Sequence, residues 1–96
     1  MRGAKFELGT VVVTPRAEQL LERQGWTVEK LLARHQAGDW GDVSAAEWRV
    51  NDEGIDQALN LVSTYVLDGR QRLSVVTKGD RSATIVHLAP GQQNGH

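Results

Sequence analysis

The stretch Arg34-His35-Gln36-Ala37-Gly38-Asp39-Trp40-Gly41-Asp42 joins two helical patterns. It allows two interpretations. In the structural one, Gly38 ends a helix in a left-handed conformation, Trp40 fills the core and the aspartates bond to local backbone donors. In the chemical one, His35, Asp39 and Asp42 bind a metal ion or form an acid–base set. Because the spacing H-x3-D-x2-D matches no metal motif of known mechanism, the sequence favours the structural interpretation.

The helix that ends in this stretch begins at Thr27, its predicted N-cap residue. Three apolar residues and the histidine recur at i, i+3, i+4 and i+7 and therefore share one helix face: Val28, Leu31, Leu32 and His35. We expect the His35 ring to be half-buried near the helix C-terminus, where it bonds to a carbonyl or to Asp39.

The segment before this helix predicts a strand and a first helix. Residues 8–14 are rich in β-branched side chains and are apolar on both faces, which predicts an interior strand. Thr14 and Pro15 supply an N-cap and a proline at the first helical position, and Gly25 is suited to end the helix that follows.

Two short helices are expected after the central stretch. Ser44 and Glu47 form a capping box, which predicts the start of the first. Asn51 is suited to cap the second, in which Gly54 costs about 1 kcal/mol relative to alanine.

The last third of the chain changes to the alternating period of strands. Residues 61–67, 73–77 and 82–88 are predicted strands of an antiparallel meander. The order β-α-α-α-β-β-β predicts an α+β, two-layer domain with an antiparallel sheet packed on helices. We expect one domain over residues 1–89 and a disordered tail over residues 90–96. The last strand is a candidate exposed edge through which two copies would form a homodimer.

The composition limits the classes of function. The chain has 96 residues, a net charge of −1 and no cysteine. These values exclude a disulfide scaffold, a cysteine nucleophile and thiolate-bound metal sites. Its apolar runs are too short to span a bilayer and no signal-peptide core follows the basic N-terminus, so we expect a cytoplasmic protein.

Catalytic and cofactor motifs are missing from the sequence. The serines lack a Gly-x-Ser-x-Gly context, and no Walker-type or dinucleotide-type glycine loop occurs. We therefore expect no enzymatic activity, no cofactor and no bound metal.

Unevenly placed charges define two candidate binding surfaces. An acidic, partner-binding face is predicted in the middle of the chain, formed by Asp39, Asp42, Asp52, Glu53 and Asp56. Trp40, on a loop between glycines, is the candidate anchor of that interface. A later basic segment is the candidate surface for the alternative function, nucleic-acid binding, through Arg70, Arg72, Lys78 and Arg81.

Two blocks carry a resemblance to a known family. The first, residues 31–42, contains Arg-His-x-x-Gly-Asp-Trp-Gly, and the second, residues 63–90, contains Asp-Arg-Ser-x-Thr. Together they resemble a family of small bacterial proteins encoded on plasmids, prophages and other mobile elements. Ser74 stands where such relatives often have a tryptophan, and Gly54 interrupts a helix that is usually better formed. These departures suggest divergence on the sheet surface, where a specialised partner could bind.

The resemblance leads to a hypothesis about function. Some such proteins are labelled restriction–modification subunits, but this chain is too short for a methyltransferase subunit. The association with mobile elements suggests a non-enzymatic inhibitor that binds and blocks a host defence complex, such as a CRISPR or restriction machine. The alternatives are a small nucleic-acid-binding regulator and, third, a metal-dependent or acid–base enzyme at His35, Asp39 and Asp42.

Overall fold

The computed structural model describes residues 4–67 and 71–89, so the expected tail over residues 90–96 lies outside the described part. The elements follow the order β1 (Thr10–Val13), α1 (Pro15–Arg23), α2 (Val28–Gln36), α3 (Ala45–Gln57), β2 (Leu61–Val66), β3 (Arg72–Thr77) and β4 (Ala83–Leu88). This order confirms the predicted α+β class. In the described part of the chain, no helix is long and apolar enough to cross a membrane.

Side-chain caps begin all three helices, as predicted. The Thr14 hydroxyl accepts a hydrogen bond from the Ala17 N–H at 3.3 Å, and Thr27 accepts one from Lys30 at 3.2 Å. Ser44 forms the full capping box. Each cap satisfies an N–H group that the first helical turn leaves without an intrahelical partner.

The prediction of two short helices after Ser44 is wrong, because α3 is continuous from Ala45 to Gln57. Asn51 lies in the middle of α3, and its side-chain amide bonds to the backbone of Val62 in β2. An asparagine that local sequence predicts to be a helix cap therefore makes a tertiary contact instead. The helix ends at Ala58, which has a left-handed φ of 56°.

The predicted antiparallel meander of the last three strands is confirmed, but the sheet as a whole is not antiparallel. Its order is β1-β4-β3-β2, and β1 pairs with β4 in parallel, so the sheet is mixed. The predictions that β1 is interior and that the last strand is an exposed edge are both wrong. Since β4 is paired on both sides, a homodimer through residues 82–88 is excluded as well.

Two contacts with residues far along the chain help to hold the start of β1 beside β4. Gly9 has a φ of +65°, and a Cβ at this position would clash with the backbone of Ser82. The Thr84 hydroxyl donates to the Leu8 carbonyl oxygen at 2.8 Å. Neither feature can be recognised from the alternating pattern of strand residues, so that pattern alone places β1 wrongly.

Helices α1 and α2 cover one face of the sheet, here called the inner face. The core there consists of Ala17, Leu20, Leu21, Leu31, Leu32, Tyr65, Leu73, Val75 and Val86. Burial of each large apolar side chain contributes about 1.5–3 kcal/mol. Helix α3 adds no apolar side chain to this core, because its buried residues are Asn51 and Gly54. Its Asn51 side chain joins it to the backbone of Val62 in β2.

Candidate partner-binding surface

The central stretch forms a short extension of the sheet. The carbonyl oxygen of Trp40 accepts a hydrogen bond from the Thr64 N–H at 3.1 Å, and the Asp42 N–H donates to the Thr64 carbonyl at 2.6 Å. An Asp42 carboxylate oxygen accepts from the Val66 N–H at 3.1 Å. Gly41 is bridged to Thr64 in parallel orientation. The outer edge of β2 is therefore occupied by this loop.

Trp40 is fully buried. Its ring stacks on Phe6 with centroids 6.0 Å apart and meets the His35 ring edge-on at 5.4 Å. The indole Nε1 donates to an Asp52 carboxylate oxygen at 2.9 Å. Since no face of the indole is exposed, the prediction of Trp40 as an interface anchor is wrong, and the ring fills the core as the structural interpretation expected.

His35 is also fully buried, but its partners are not those predicted. Its Nδ1 lies 2.6 Å from the Ser63 hydroxyl and its Nε2 lies 2.9 Å from the Thr77 hydroxyl. The Thr77 and Thr84 hydroxyls are 2.8 Å apart. The sequence did contain a signal for these partners, because all three hydroxyl residues occupy inward positions of strands where apolar residues are the norm.

The chain of hydroxyl groups determines which imidazole nitrogen of His35 carries a proton. Thr84 donates its only hydroxyl proton to the Leu8 carbonyl, so it accepts from Thr77. Thr77 therefore accepts from Nε2–H of His35. Desolvation by burial, with a smaller contribution from the charge of Arg81, lowers the pKa of His35 to about 4. The ring is therefore neutral near pH 7, and its unprotonated Nδ1 accepts from the Ser63 hydroxyl.

The three residues of the chemical interpretation do not form one site. His35 bonds to hydroxyls of β2 and β3, whereas Asp39 pairs with Arg34 at 2.8 Å and Asp42 bonds to the backbone of Val66. The hydrogen bond from Arg34 lowers the pKa of Asp39. Across residues 4–67 and 71–89, no group of three or more metal-ligating side chains is placed to hold a metal ion.

The predicted acidic face separates into two groups. The carboxylates of Asp39, Asp42 and Asp52 accept hydrogen bonds within the fold, respectively from Arg34, Val66 and Trp40. Glu53 and Asp56 are exposed on α3. Their charges are therefore presented to solvent and are available to attract a basic partner.

The predicted basic surface does not form one patch. The Arg81 guanidinium donates to the carbonyls of Leu59, Lys78, Gly79, Gly54 and Ile55. Arg72 and Lys78 lie at opposite ends of β3, about 20 Å apart at the usual rise per strand residue. Arg70 lies outside the described residues.

The sheet face opposite α1 and α2, here called the open face, carries an apolar row that sequence analysis missed. The register aligns one apolar β-branched side chain from each strand, in the order Val12, Ile85, Val76 and Val62. The two ends are the most exposed, with 48% of Val12 and 38% of Val62 accessible. The apolar character of both faces was visible in the sequence, but their alignment depends on the register.

The apolar row continues onto α3. A groove between α3 and β2 is lined by Val43, Ala46, Glu47, Val50, Val62 and Thr64. Val50 is 53% exposed, and Glu53 follows it by three residues and therefore lies beside it on the helix surface. We call the apolar row together with Val50, Glu53 and Asp56 the candidate surface. Ser74 lies on the same face but is buried, with 7% accessible.

Comparisons with known proteins found no counterpart for this arrangement. No protein-family model matches the chain, and no curated protein or solved structure matches it significantly.

Proposed function

We propose that this protein is a non-enzymatic inhibitor, encoded on a mobile genetic element, that binds and blocks a host defence complex in the cytoplasm. The observation that carries this proposal is the exposed apolar row, which is continuous with the acidic outer side of α3. Apolar surface bordered by charge is typical of sites that bind other proteins. If the open face were only exposed to solvent, polar residues would be expected on it.

The charges indicate the chemistry of the partner. Glu53 and Asp56 project a negative charge from α3, in the same way as the phosphates of a nucleic acid. A CRISPR or restriction complex holds its nucleic acid in a basic groove, and such a groove would attract α3. The apolar row would then supply the burial that makes the complex specific. We propose that the protein occupies this groove and excludes the nucleic acid.

The alternative function, a nucleic-acid-binding regulator, has less support. It requires several cations on one surface. The guanidinium of Arg81 bonds to carbonyls within the fold, and Arg72 is separated from Lys78 by the length of β3.

The direct test is phage plating on bacterial strains that each carry one CRISPR or restriction system. Expression of the protein should raise plating efficiency in at least one strain. The double variant Glu53→Lys and Asp56→Lys should lose this effect, because it reverses the charge that α3 presents. Asp52 is left unchanged, since its carboxylate accepts the Trp40 indole hydrogen bond.

The matched control is Glu18→Lys with Glu22→Lys, which makes the same change in net charge on exposed positions of α1. This variant should protect phage as well as the wild type does. Protection that survives in the folded α3 variant would contradict mimicry of nucleic acid. An absence of protection in every strain would contradict the inhibitor function.

A pull-down from lysate, with and without nuclease, separates the two functions. An inhibitor should retain a stoichiometric defence complex after nuclease treatment. A nucleic-acid-binding regulator should instead recover nucleic acid, which the nuclease would remove.

A further inference from the structure

The two edge strands of the sheet, β2 and β1, differ in whether their outward backbone groups have hydrogen-bond partners. Along the outer edge of β2, Asn51 bonds to both backbone polar groups of Val62. The loop of Trp40 and Asp42 then bonds to the backbone of Thr64 and Val66. Backbone groups of Val62, Thr64 and Val66, at three successive outward positions of β2, thus already have hydrogen-bond partners. Edges blocked in this way cannot pair with another strand.

Among the residues that the structure describes, none protects the outer edge of β1 in this way. Within the described residues, β4 is the one strand that pairs with β1. Residues 10–13 are Thr-Val-Val-Val, without the charge, proline or bulge by which edge strands usually avoid pairing. Val11 and Val12 are 38% and 48% exposed. Such an edge is a template for the addition of a strand.

The backbone orientation of β1 determines which residues can accept a new strand. Thr10 and Thr14 donate their N–H groups to Ser82 and Val86 of the β4 side, each at 3.0 Å. Because successive backbone groups of a strand alternate in direction, the N–H and C=O groups of Val11 and Val13 point outward. These are the groups that an added strand would meet.

We propose that the protein forms a two-fold symmetric homodimer in which β1 pairs antiparallel with β1 of a second copy. An antiparallel ladder needs outward-facing residues opposite each other. Placing the two-fold axis at Val12 sets Val11 opposite Val13 of the second copy, and Val13 opposite its Val11. These two pairs exchange about four backbone hydrogen bonds, and the two Val12 residues meet as a close, non-hydrogen-bonded pair.

The charges that flank β1 fit this orientation. Glu7 is exposed three residues before β1, and Arg16 is exposed three residues after it. Antiparallel alignment brings the start of one β1 to the end of the other. Glu7 of each copy then approaches Arg16 of its partner, so unlike charges meet at both ends of the interface. Parallel pairing would bring like charges together.

The dimer would also extend the open face. The two-fold axis at Val12 joins the apolar rows of both copies end to end, through the most exposed valine of the row. The result is one sheet with the β2 edges, both blocked, at its two ends. This inference does not depend on the identity of the partner proposed above.

The experiment is sedimentation equilibrium of the full chain over a series of concentrations. The wild type should show a monomer–dimer equilibrium. Val12→Lys should raise the dissociation constant by about tenfold or more, because it sets two like charges opposite each other. Val50→Lys, on α3, is the matched control and should dimerise as the wild type does. Circular dichroism verifies that each variant is folded.

Mixing two variants tests the register itself. Val12→Lys and Val12→Glu should each be monomeric alone, and an equimolar mixture should form a heterodimer, because only a two-fold axis at this position sets residue 12 opposite itself. A monomeric wild type at every concentration would overturn the proposal. So would a dimer that Val12→Lys leaves intact, or a mixture that stays monomeric.

Discussion

Asn51 makes with Val62 the two hydrogen bonds that a neighbouring strand would make. Its Nδ2 donates to the Val62 carbonyl oxygen at 2.8 Å, and its Oδ1 accepts from the Val62 N–H at 3.1 Å. A side chain from a helix thus ends the hydrogen-bonded ladder of the sheet. Gly54, one turn further along α3, allows the helix to lie close to the Leu59 and Leu61 side chains. A Cβ at this position would lie 3.1 Å from Cβ of Leu59 and 3.2 Å from Cδ2 of Leu61.

Replacing Asn51 with alanine should destabilise the protein by about 1–3 kcal/mol, because it leaves two backbone groups of Val62 without their partner in a partly buried position. The free energy of unfolding in urea measures the change. Gln57→Ala is the control, since Gln57 is exposed on the same helix and its loss should change stability by less than about 0.5 kcal/mol. Equal effects of the two substitutions would contradict the role assigned to Asn51.

The buried neutral His35 predicts a loss of stability in acid. Its folded-state pKa of about 4 lies below the unfolded value of 6.5. Between these values the unfolded chain binds a proton that the folded chain does not, so stability falls as the pH falls from 6.5 towards 4. The full effect is roughly 3 kcal/mol, on the basis of 1.36 kcal/mol per pKa unit.

Urea unfolding at several pH values measures this dependence. His35→Asn removes the titrating group and should flatten the curve within the window, even where it lowers overall stability. Nitrogen NMR of the imidazole provides a second measurement, which should show a neutral ring protonated on Nε2 at pH 6. A charged ring at that pH would contradict the hydrogen-bond assignment.

The turn at Gly41 should tolerate no side chain. Gly41 has a φ of +78°, and a Cβ there would clash with the Thr64 carbonyl oxygen and the Tyr65 ring. Gly25 has a similar φ of +73°, but a Cβ there would meet no atom within 4 Å. Gly25→Ala should therefore cost only the conformational strain, about 1–2 kcal/mol. Gly41→Ala should cost clearly more, and thermal unfolding of the two variants would show the difference.

Arg81 should act as a structural residue. Its guanidinium donates hydrogen bonds to the carbonyls of Gly54 and Ile55 in the last turn of α3, and to the Leu59 carbonyl just after it. Arg81→Ala should lower the free energy of unfolding by about 2–4 kcal/mol. Arg72→Ala, at an exposed strand position, should change it by less than about 0.5 kcal/mol. A stable Arg81→Ala protein would reopen the nucleic-acid-binding interpretation.

Local sequence patterns predicted the elements well. Hydroxyl side chains followed by helical periodicity located the starts of all three helices, because a cap acts within four residues of the chain. The alternating pattern located β2, β3 and β4 to within two residues. Where a residue had both a local and a long-range option, as Asn51 did, the local pattern gave the wrong answer.

The candidate site was predicted in part. The acids of α3 were identified because charge is visible in the sequence, whereas the apolar row was missed because it requires residues from four strands in register. Trp40 could be assigned either to the core or to an interface from its loop position. Its burial depends on Phe6 and on the Asp52 carboxylate, which are distant in sequence.

The sequence by itself therefore determined the α+β class, the helix starts and the polarity of the chain, since caps, periodicity and charge are properties of short segments. Only the tertiary structure decided which strand lies at an edge, which aspartates accept hydrogen bonds within the fold, and whether His35 is charged. These depend on contacts such as that of Leu8 with Thr84, which lie 76 residues apart. Chain closure over such distances is governed by the packing of the whole domain, and no local pattern encodes it.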